Sequence, residues 1–375
     1  MDFTFTDEQE AIHDVARKLF ETRATPERLT EIEAGDVRFD AELWQELAGS
    51  DLLGIALPES VGGNGGSLLD LSIVLAEVGW SVAPVPVYAS LLLGADTIAR
   101  HGDADQVTQW LTGVGDGSRI LTAALSEPGG GATVDTTSTR ATSDGTGWRI
   151  SGAKELVPAA QIAHAVVVPA LLDDGDVAFF VVPTDAAGVS ITPVATTNGE
   201  PHADIDLADV AVAADQRIGA TTSGRELLRD LVIRAQLGLA AVQIGVTDRA
   251  LQLAAQYTTQ REQFGRPIGS FQAVQQRLAD AFIDVESIRW TTFHAAWLYS
   301  EGRDAEREAA IAKYWAAEAG PRVVASAQQV HGGMGIDVTY PLHRYFLWGK
   351  TYELSLGSAP HQLAELGHGL VGAHA

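Results

Sequence analysis

Apolar residues along this chain follow two different periods, and the period changes twice. Ile12, Val15, Ala16 and Leu19 recur at helical spacing. Ahead of them, Thr6-Asp7-Glu8-Gln9 has the form of a capping box, a hydroxyl followed three residues later by an amide side chain. A second amphipathic helix is predicted over Asp40 to Ala48, with Leu43, Trp44 and Leu47 on one face. Further helices are predicted over Asp70 to Val78 and Ser90 to His101. The stretch from Gly54 to Gly65 is too rich in Gly and Pro for an element and reads as a loop.

From Arg119 onward the pattern shortens to β-prone runs: Ile120 to Leu125, Arg149 to Ser151, Ala165 to Val168, Val177 to Val182 and Val189 to Val194. Turn signals at Asp144-Gly145 and Asp174-Gly175 separate them. Beyond Gly224 helical periodicity returns over Leu227 to Gln256, Gln272 to Tyr299 and Asp304 to Val330, and a segment after Tyr340 completes a four-helix-type bundle. The expected fold class is α+β in three parts. These are an N-terminal helical domain (1–118), a middle antiparallel β domain (119–220) and a C-terminal four-helix bundle (221–375).

Charge then narrows the partners. Asp and Glu outnumber Lys and Arg by 49 to 25, a formal charge of −24. Such a surface repels phosphate backbones and anionic lipid, so neither nucleic acid nor a membrane surface is an expected partner. An anionic ligand requires a local cluster of the few basic residues. The absence of cysteine excludes disulfides, thiolate nucleophiles and cysteine-ligated metals, and no metal site is expected. The opening residues carry acidic side chains where a signal peptide carries positive charge. No run approaches the ~18 consecutive apolar residues of a membrane span. The expected location is cytoplasmic.

Four segments carry the candidate chemistry. Gly54 to Gly65 resembles a "GI..PE..GG.G" loop, and Ala124-Leu125-Ser126-Glu127-Pro128-Gly129-Gly130-Gly131 resembles "TEP..GSD". Arg261-Glu262-Gln263-Phe264-Gly265, followed by Gly269-Ser270-Phe271-Gln272 and Gln275, resembles "R..FG...G.FQ..Q". Gln329 to Gly335 resembles "Q..GG.G", with Tyr340-Pro341 following. Each alone is common punctuation, but together and in this order they resemble the acyl-CoA dehydrogenase family over nearly the whole chain. In that family FAD lies at a dimer interface, and one chain reaches across to the ADP half of its neighbour's cofactor. The resemblance implies that Arg261, Gln263, Phe264, Gln272, Gln329, Gly332 and Gly333 serve that half, and that Ser126 touches the flavin. The residue types suit these roles. An Arg fork matches pyrophosphate, Phe offers an apolar face, and adjacent glycines let the backbone approach closely.

The same resemblance exposes a gap. The family removes the proton α to an acyl-CoA thioester with a carboxylate while the β hydride passes to the flavin, and that weakly acidic proton requires a base. The two positions where members place this Glu fall here on Leu356 and Ala235, neither of which accepts a proton. Glu353, three residues before Leu356, is the fallback base, and Asp230 is expected to point elsewhere on its helix. After Lys154, Leu156 and Pro158 stand where the family has Trp and Thr. Ala132-Thr133 replaces "SD", and Pro360 replaces a cofactor-holding Gln.

The resemblance therefore implies the non-catalytic subunit of a heteromeric, α2β2 tetrameric acyl-CoA dehydrogenase of the kind found in actinobacteria, some of which act on steroid side chains. A partner subunit would supply base and acyl-CoA pocket, with an electron-transfer flavoprotein as a possible acceptor. The alternatives are a homotetrameric enzyme using Glu353 and a catalytically silent FAD- or acyl-CoA-binding protein.

Overall fold

The computed structural model describes residues 4–130, 137–219 and 222–372. Eleven α-helices and ten strands are formed among them. The chain divides into two compact units, each discontinuous in sequence: residues 1–30, 72–83 and 236–375 form the first, and 31–71 and 84–235 the second.

The first unit is helical. Helix α1 (Asp7–Arg23) starts at the expected capping box, with Thr6 and Gln9 each accepting from the other's backbone N–H at 3.2 Å. It buries Ile12, Ala16 and Phe20. Three long helices follow late in the chain: α7 (Gly224–Gln260), α8 (Gln272–Ser300) and α9 (Glu306–His331). They are completed by α10 (Leu342–Leu354) and α11 (Ala359–Gly372), and α9 packs against α8, α10 and α11. Helix α4 (Leu68–Ser81) and α7 approach to backbone contact. A Cβ added at Gly245 would lie 1.8 Å from the Ala76 carbonyl oxygen, and one at Gly79 would lie 1.9 Å from that of Val242. Where α9 crosses α7 the space beside Gly320 is filled by a side chain instead, since a Cβ there would meet the Gln243 amide at 1.8 Å. That buried amide donates to the carbonyls of Ala316 at 3.3 Å and Gly349 at 3.4 Å, so one polar side chain links α7, α9 and α10.

The second unit is built on a sheet in the order β6-β7-β3-β2-β4-β5-β8, with β1 beside β4. Its strands are β1 (Leu121–Ala123), β2 (Arg140–Ser143), β3 (Gly147–Pro158), β4 (Ala165–Leu171), β5 (Val177–Pro183), β6 (Val189–Val194), β7 (His202–Ala213) and β8 (Arg217–Ile218). Most pairings are antiparallel, as expected, but β1 runs parallel to β4, and β2 meets β4 in a parallel bridge at Arg140 and Leu171. Strands β4 and β5 are apolar throughout and buried on both faces.

Strand β7 was not legible beforehand. It alternates buried Ala203, Ile205 and Leu207 with Asp204 and Asp206, so half its residues disfavour strands on propensity alone. The helix expected over Ser90 to His101 is a π-helix over Tyr88–Ala95 continuing into α5 (Asp96–His101). There a Cβ at Gly94 would lie 2.5 Å from Leu121 Cβ, so the widened turn presses on β1. The expected Gly54-to-Gly65 loop contains a 3₁₀ turn, Glu59–Val61, and another, Leu52–Gly54, ends at its first residue.

Two glycines separate packing from propensity. Gly245→Ala forces Cβ into the Ala76 carbonyl and is expected to destabilise by about 1–3 kcal/mol or more. Gly367→Ala, on α11 with nothing within 4 Å, is expected to gain up to about 1 kcal/mol. Urea unfolding midpoints of both variants check this, and equal shifts would refute a packing role for Gly245.

Candidate functional site

The strongest constellation lies in the first unit, where the end of α7 meets the end of α9. Tyr257, on the last turn of α7, stacks on His331, the last residue of α9, with ring centroids 4.3 Å apart. His331 is buried, and its Nδ1 lies 2.7 Å from the Ala327 carbonyl, which only accepts, so Nδ1 carries the proton. Burial lowers the His331 pKa below its ordinary value and keeps the ring neutral. Nε2 is then left to accept from the Tyr340 hydroxyl at 3.1 Å. Three aromatic side chains thus clamp two helix ends and the segment before α10.

Two open backbone segments project from this clamp. Arg261 follows α7, its N–H held by Tyr257 and its carbonyl by Ile268, each at 2.8 Å. A two-stranded hairpin comes next, β9 (Glu262–Gln263) with β10 (Arg266–Pro267), turning through Phe264 and Gly265. Both turn residues have positive φ, 55° and 79°, as a type I′ turn requires, and a Phe in that region is strained. The Phe264 side chain is 93% exposed, and its ring lies edge-on to Phe271, 6.1 Å between centroids. A strained, bare aromatic at a hairpin tip is costly unless something covers it. The second segment is Gly332-Gly333. Gly332 has φ 59° and ψ −132°, a conformation open essentially to glycine alone. A Cβ at either residue would meet nothing within 4 Å, so this backbone faces open space.

The expected site residues therefore distribute unevenly. Arg261, Gln263, Phe264, Gln272, Gln329, Gly332 and Gly333 all belong to the first unit, and all are exposed. Arg261 has no carboxylate partner among the described residues. Gln272 opens α8, Gln329 stands in the last turn of α9, and Gln263 turns its amide back onto the Glu262 carbonyl. Ser126 belongs to the second unit, where it is half-buried and its carbonyl accepts the Glu155 N–H at 3.0 Å.

Both expected base positions hold hydrocarbon. Leu356 sits in the turn between α10 and α11 at φ 50°, its carbonyl taken by the Gln362 amide at 3.0 Å. Ala235 is fully buried on α7, and its carbonyl accepts the Tyr88 hydroxyl at 3.2 Å. Burial, with the charge of Glu200 adding to it, keeps that hydroxyl protonated. The Glu353 carboxylate is ion-paired with Lys350 one turn earlier on α10. Asp230 is engaged by Arg234 at 2.9 Å and His101 at 3.2 Å. On β3, a bulge between Lys154 and Val157 leaves Leu156 at φ 51° and 49% exposed, with its N–H bonded to Asp204 at 2.9 Å. Pro158 has no N–H, and its carbonyl is occupied by the Thr122 hydroxyl at 2.7 Å. Ala132-Thr133 lies outside the described residues. Among the described residues no His, Asp and Glu cluster is placed to hold a metal ion.

Sequence reasoning missed the buried cations, Lys154 and Lys313 among them. Lys154, fully buried on β3, donates to Glu127 at 2.5 Å and to the Pro169 carbonyl at 2.9 Å. Burial raises the Glu127 carboxyl, but Lys154 and the hydroxyls of Ser138 and Thr137 more than offset this and hold it well below the usual range. This network ties residues 126–128 to the start of β2. Lys313, fully buried on α9, donates to the Tyr352 carbonyl at 3.0 Å and satisfies the end of α10 just before Leu356. Burial lowers its pKa to about 7, against the opposing charge of Glu353. A lysine before a strand bulge gave no signal distinguishing it from a surface charge.

Comparison with known proteins adds to this geometry. Models described as the N-terminal, middle and C-terminal domains of acyl-CoA dehydrogenase match residues 6–118, 122–210 and 223–370. The chain is 39% identical over 378 residues to acyl-CoA dehydrogenase FadE27 of Mycobacterium tuberculosis, covering 99% of each. It superposes on a chain of the ChsE4-ChsE5 complex from Mycobacterium tuberculosis with a TM-score of 0.94 and 38% identity, covering 99% of each. A chain of the Tcur3481-Tcur3483 steroid ACAD gives 0.92 and 42%, covering 98% of this chain and 99% of that one.

Two predictions concern the buried lysines. Lys154→Met leaves Glu127 buried and unpaired, and is expected to cost about 3–5 kcal/mol in urea unfolding at neutral pH. For Lys313 the folded pKa lies below the free value of 10.5, so between about pH 7 and that value the unfolded chain holds the extra proton and stability rises with pH. The stability of wild type relative to Lys313→Met is therefore expected to increase from about pH 7 to about pH 9, and a constant difference would show that the ammonium is not titrating.

Proposed function

The chain belongs to the acyl-CoA dehydrogenase family, and from that premise we propose that it is the non-catalytic subunit of a two-chain, FAD-dependent enzyme that desaturates an acyl-CoA thioester. FAD, when bound, supplies the hydride acceptor for that reaction. One observation carries the proposal: both positions at which the family places its carboxylate base are hydrocarbon, Leu356 and Ala235, while the surface suited to the ADP half of a partner's FAD is open. A proton α to a thioester does not leave without an acceptor, and neither side chain provides one.

The residues present fit one half of the cofactor. Arg261 offers a free fork of donors, suited to pyrophosphate. Phe264, bare and strained, gains cover from an aromatic or sugar face. Gly332 and Gly333 admit close backbone approach, and the His331 clamp ties together the helix ends from which these segments project. The flavin-ring side does not fit as well, because Pro158 has no N–H to offer and the Leu156 N–H is committed to Asp204. Residues of a partner chain would position the thioester and hold the base. The names of the ChsE4-ChsE5 complex and the Tcur3481-Tcur3483 steroid ACAD describe two-component proteins, which supports a heteromer and makes a steroid side-chain thioester the first substrate to test.

The homotetrameric alternative needs Glu353 as base, yet its carboxylate is committed to Lys350. Flavin absorbance per protomer separates the readings. The chain purified alone is expected to hold almost no FAD, and co-expression with an adjacent-gene homologue is expected to restore flavin and turnover. In that complex, Arg261→Ala is expected to weaken FAD retention by about tenfold or more, and Glu353→Gln to leave turnover unchanged. Full flavin and turnover in the lone chain would overturn the proposal, and flavin without turnover in any pairing would identify a silent binding protein.

A further inference from the structure

Two tyrosine hydroxyls belong to the aromatic clamp, and they are answered differently. That of Tyr340 donates to His331 Nε2 at 3.1 Å. That of Tyr257 makes no hydrogen bond to any described residue. Its oxygen is not buried, although the residue as a whole is half-buried. The ring is held without it. One face stacks on His331, with centroids 4.3 Å apart, and Tyr340 meets the ring edge-on at 6.4 Å and 66°. A phenylalanine would make the same ring contacts, so packing does not account for the oxygen.

Position gives that oxygen a use. Tyr257 and Arg261 stand four residues apart, and the Arg261 N–H donates to the Tyr257 carbonyl at 2.8 Å, so the helical hydrogen-bond pattern of α7 continues through Arg261. Residues four apart on a helix share a face. Tyr257 also stacks on His331, the residue immediately before Gly332. It is thus tied to both open segments, to one through the backbone and to the other through its ring. A pyrophosphate has more acceptor oxygens than one guanidinium fork can bond, so a second donor beside Arg261 is chemically useful. In a chain of net charge −24, a neutral hydroxyl supplies it without drawing on the few cations.

We infer that Tyr257 is a further cofactor-binding residue of this surface, its hydroxyl donating beside Arg261 to a phosphate oxygen in the ADP half of the partner's FAD. The inference rests on the half-site reading proposed above and adds to it a neutral donor from the clamp itself.

Titration of FAD into the flavin-free two-chain complex, followed by flavin fluorescence, tests this, with urea unfolding as the companion measurement. Tyr257→Phe is expected to raise the Kd for FAD by about tenfold or more, the loss of one hydrogen bond to a charged acceptor. The unfolding midpoint is expected to stay at the wild-type value, because both ring contacts survive. Wild-type affinity in Tyr257→Phe, in a complex where Arg261→Ala weakens binding, overturns the inference and leaves the half-site reading standing. Wild-type affinity in both variants removes the half-site itself, and this inference with it. A weaker affinity that comes with a lowered midpoint also overturns it, since the hydroxyl then acts on the fold rather than on the cofactor.

Discussion

Backbone contact between α7 and its neighbours is the constraint on which the helical unit depends. Gly79 and Gly245 remove the side chains that would otherwise separate α4 from α7, and Gly320 leaves room on α9 for the Gln243 side chain of α7. In that room the Gln243 amide bridges carbonyls of α9 and α10. The position of α7 then fixes Tyr257, and Tyr257 fixes His331. From that pair project the two segments that give the candidate surface its chemistry, the Phe264 hairpin and Gly332-Gly333. A packing constraint thus becomes a functional one without any intervening loop adjustment.

Electrostatics follows from scarcity. The chain has 25 Lys and Arg against 49 Asp and Glu, and three of those cations, Lys154, Arg234 and Lys313, are fully buried. Each is answered: Lys154 by Glu127, Arg234 by Asp96 and Asp230, and Lys313 by backbone carbonyls at the end of α10. These three organise structure. Arg261 and Arg249 are different, because neither has a carboxylate partner among the described residues. In an acidic protein a guanidinium without a carboxylate partner is a conspicuous feature, and Arg261 stands on the proposed cofactor surface.

The division between retained and lost chemistry gives the functional reading its direction. On the proposed reading, what remains would serve a cofactor from outside: an exposed fork of donors, a bare aromatic and open glycine backbone. What is gone would have served this chain's own reaction, namely a carboxylate at Leu356 or Ala235 and donors at Leu156 and Pro158. The surrounding structure has accommodated the losses. The Leu356 carbonyl is bonded by Gln362, that of Ala235 by Tyr88 and that of Pro158 by Thr122. A position whose backbone is satisfied and whose side chain is hydrocarbon offers nothing to proton transfer.

Some of this was written in the residues alone. Helix existence was legible because burying one face of a helix imposes a 3.6-residue period, and the Thr6 cap because its chemistry is local. The hydrocarbon at both expected base positions was legible because it concerns only which atoms a side chain carries. Other features depended on partners distant in sequence. Strand β7 forms despite its aspartates because β3 and β6 supply its hydrogen bonds, and β1 lies parallel to β4 through a pairing of residues more than forty positions apart. The sequence held Lys154, Lys313 and His331 as ordinary polar residues. Only the tertiary structure buried them, and burial turned the first into half of an ion pair, the second into the cap of α10 and the third into a neutral clamp. A side chain's identity is local, but its solvent exposure is not, and exposure decides what a charged or titratable group does.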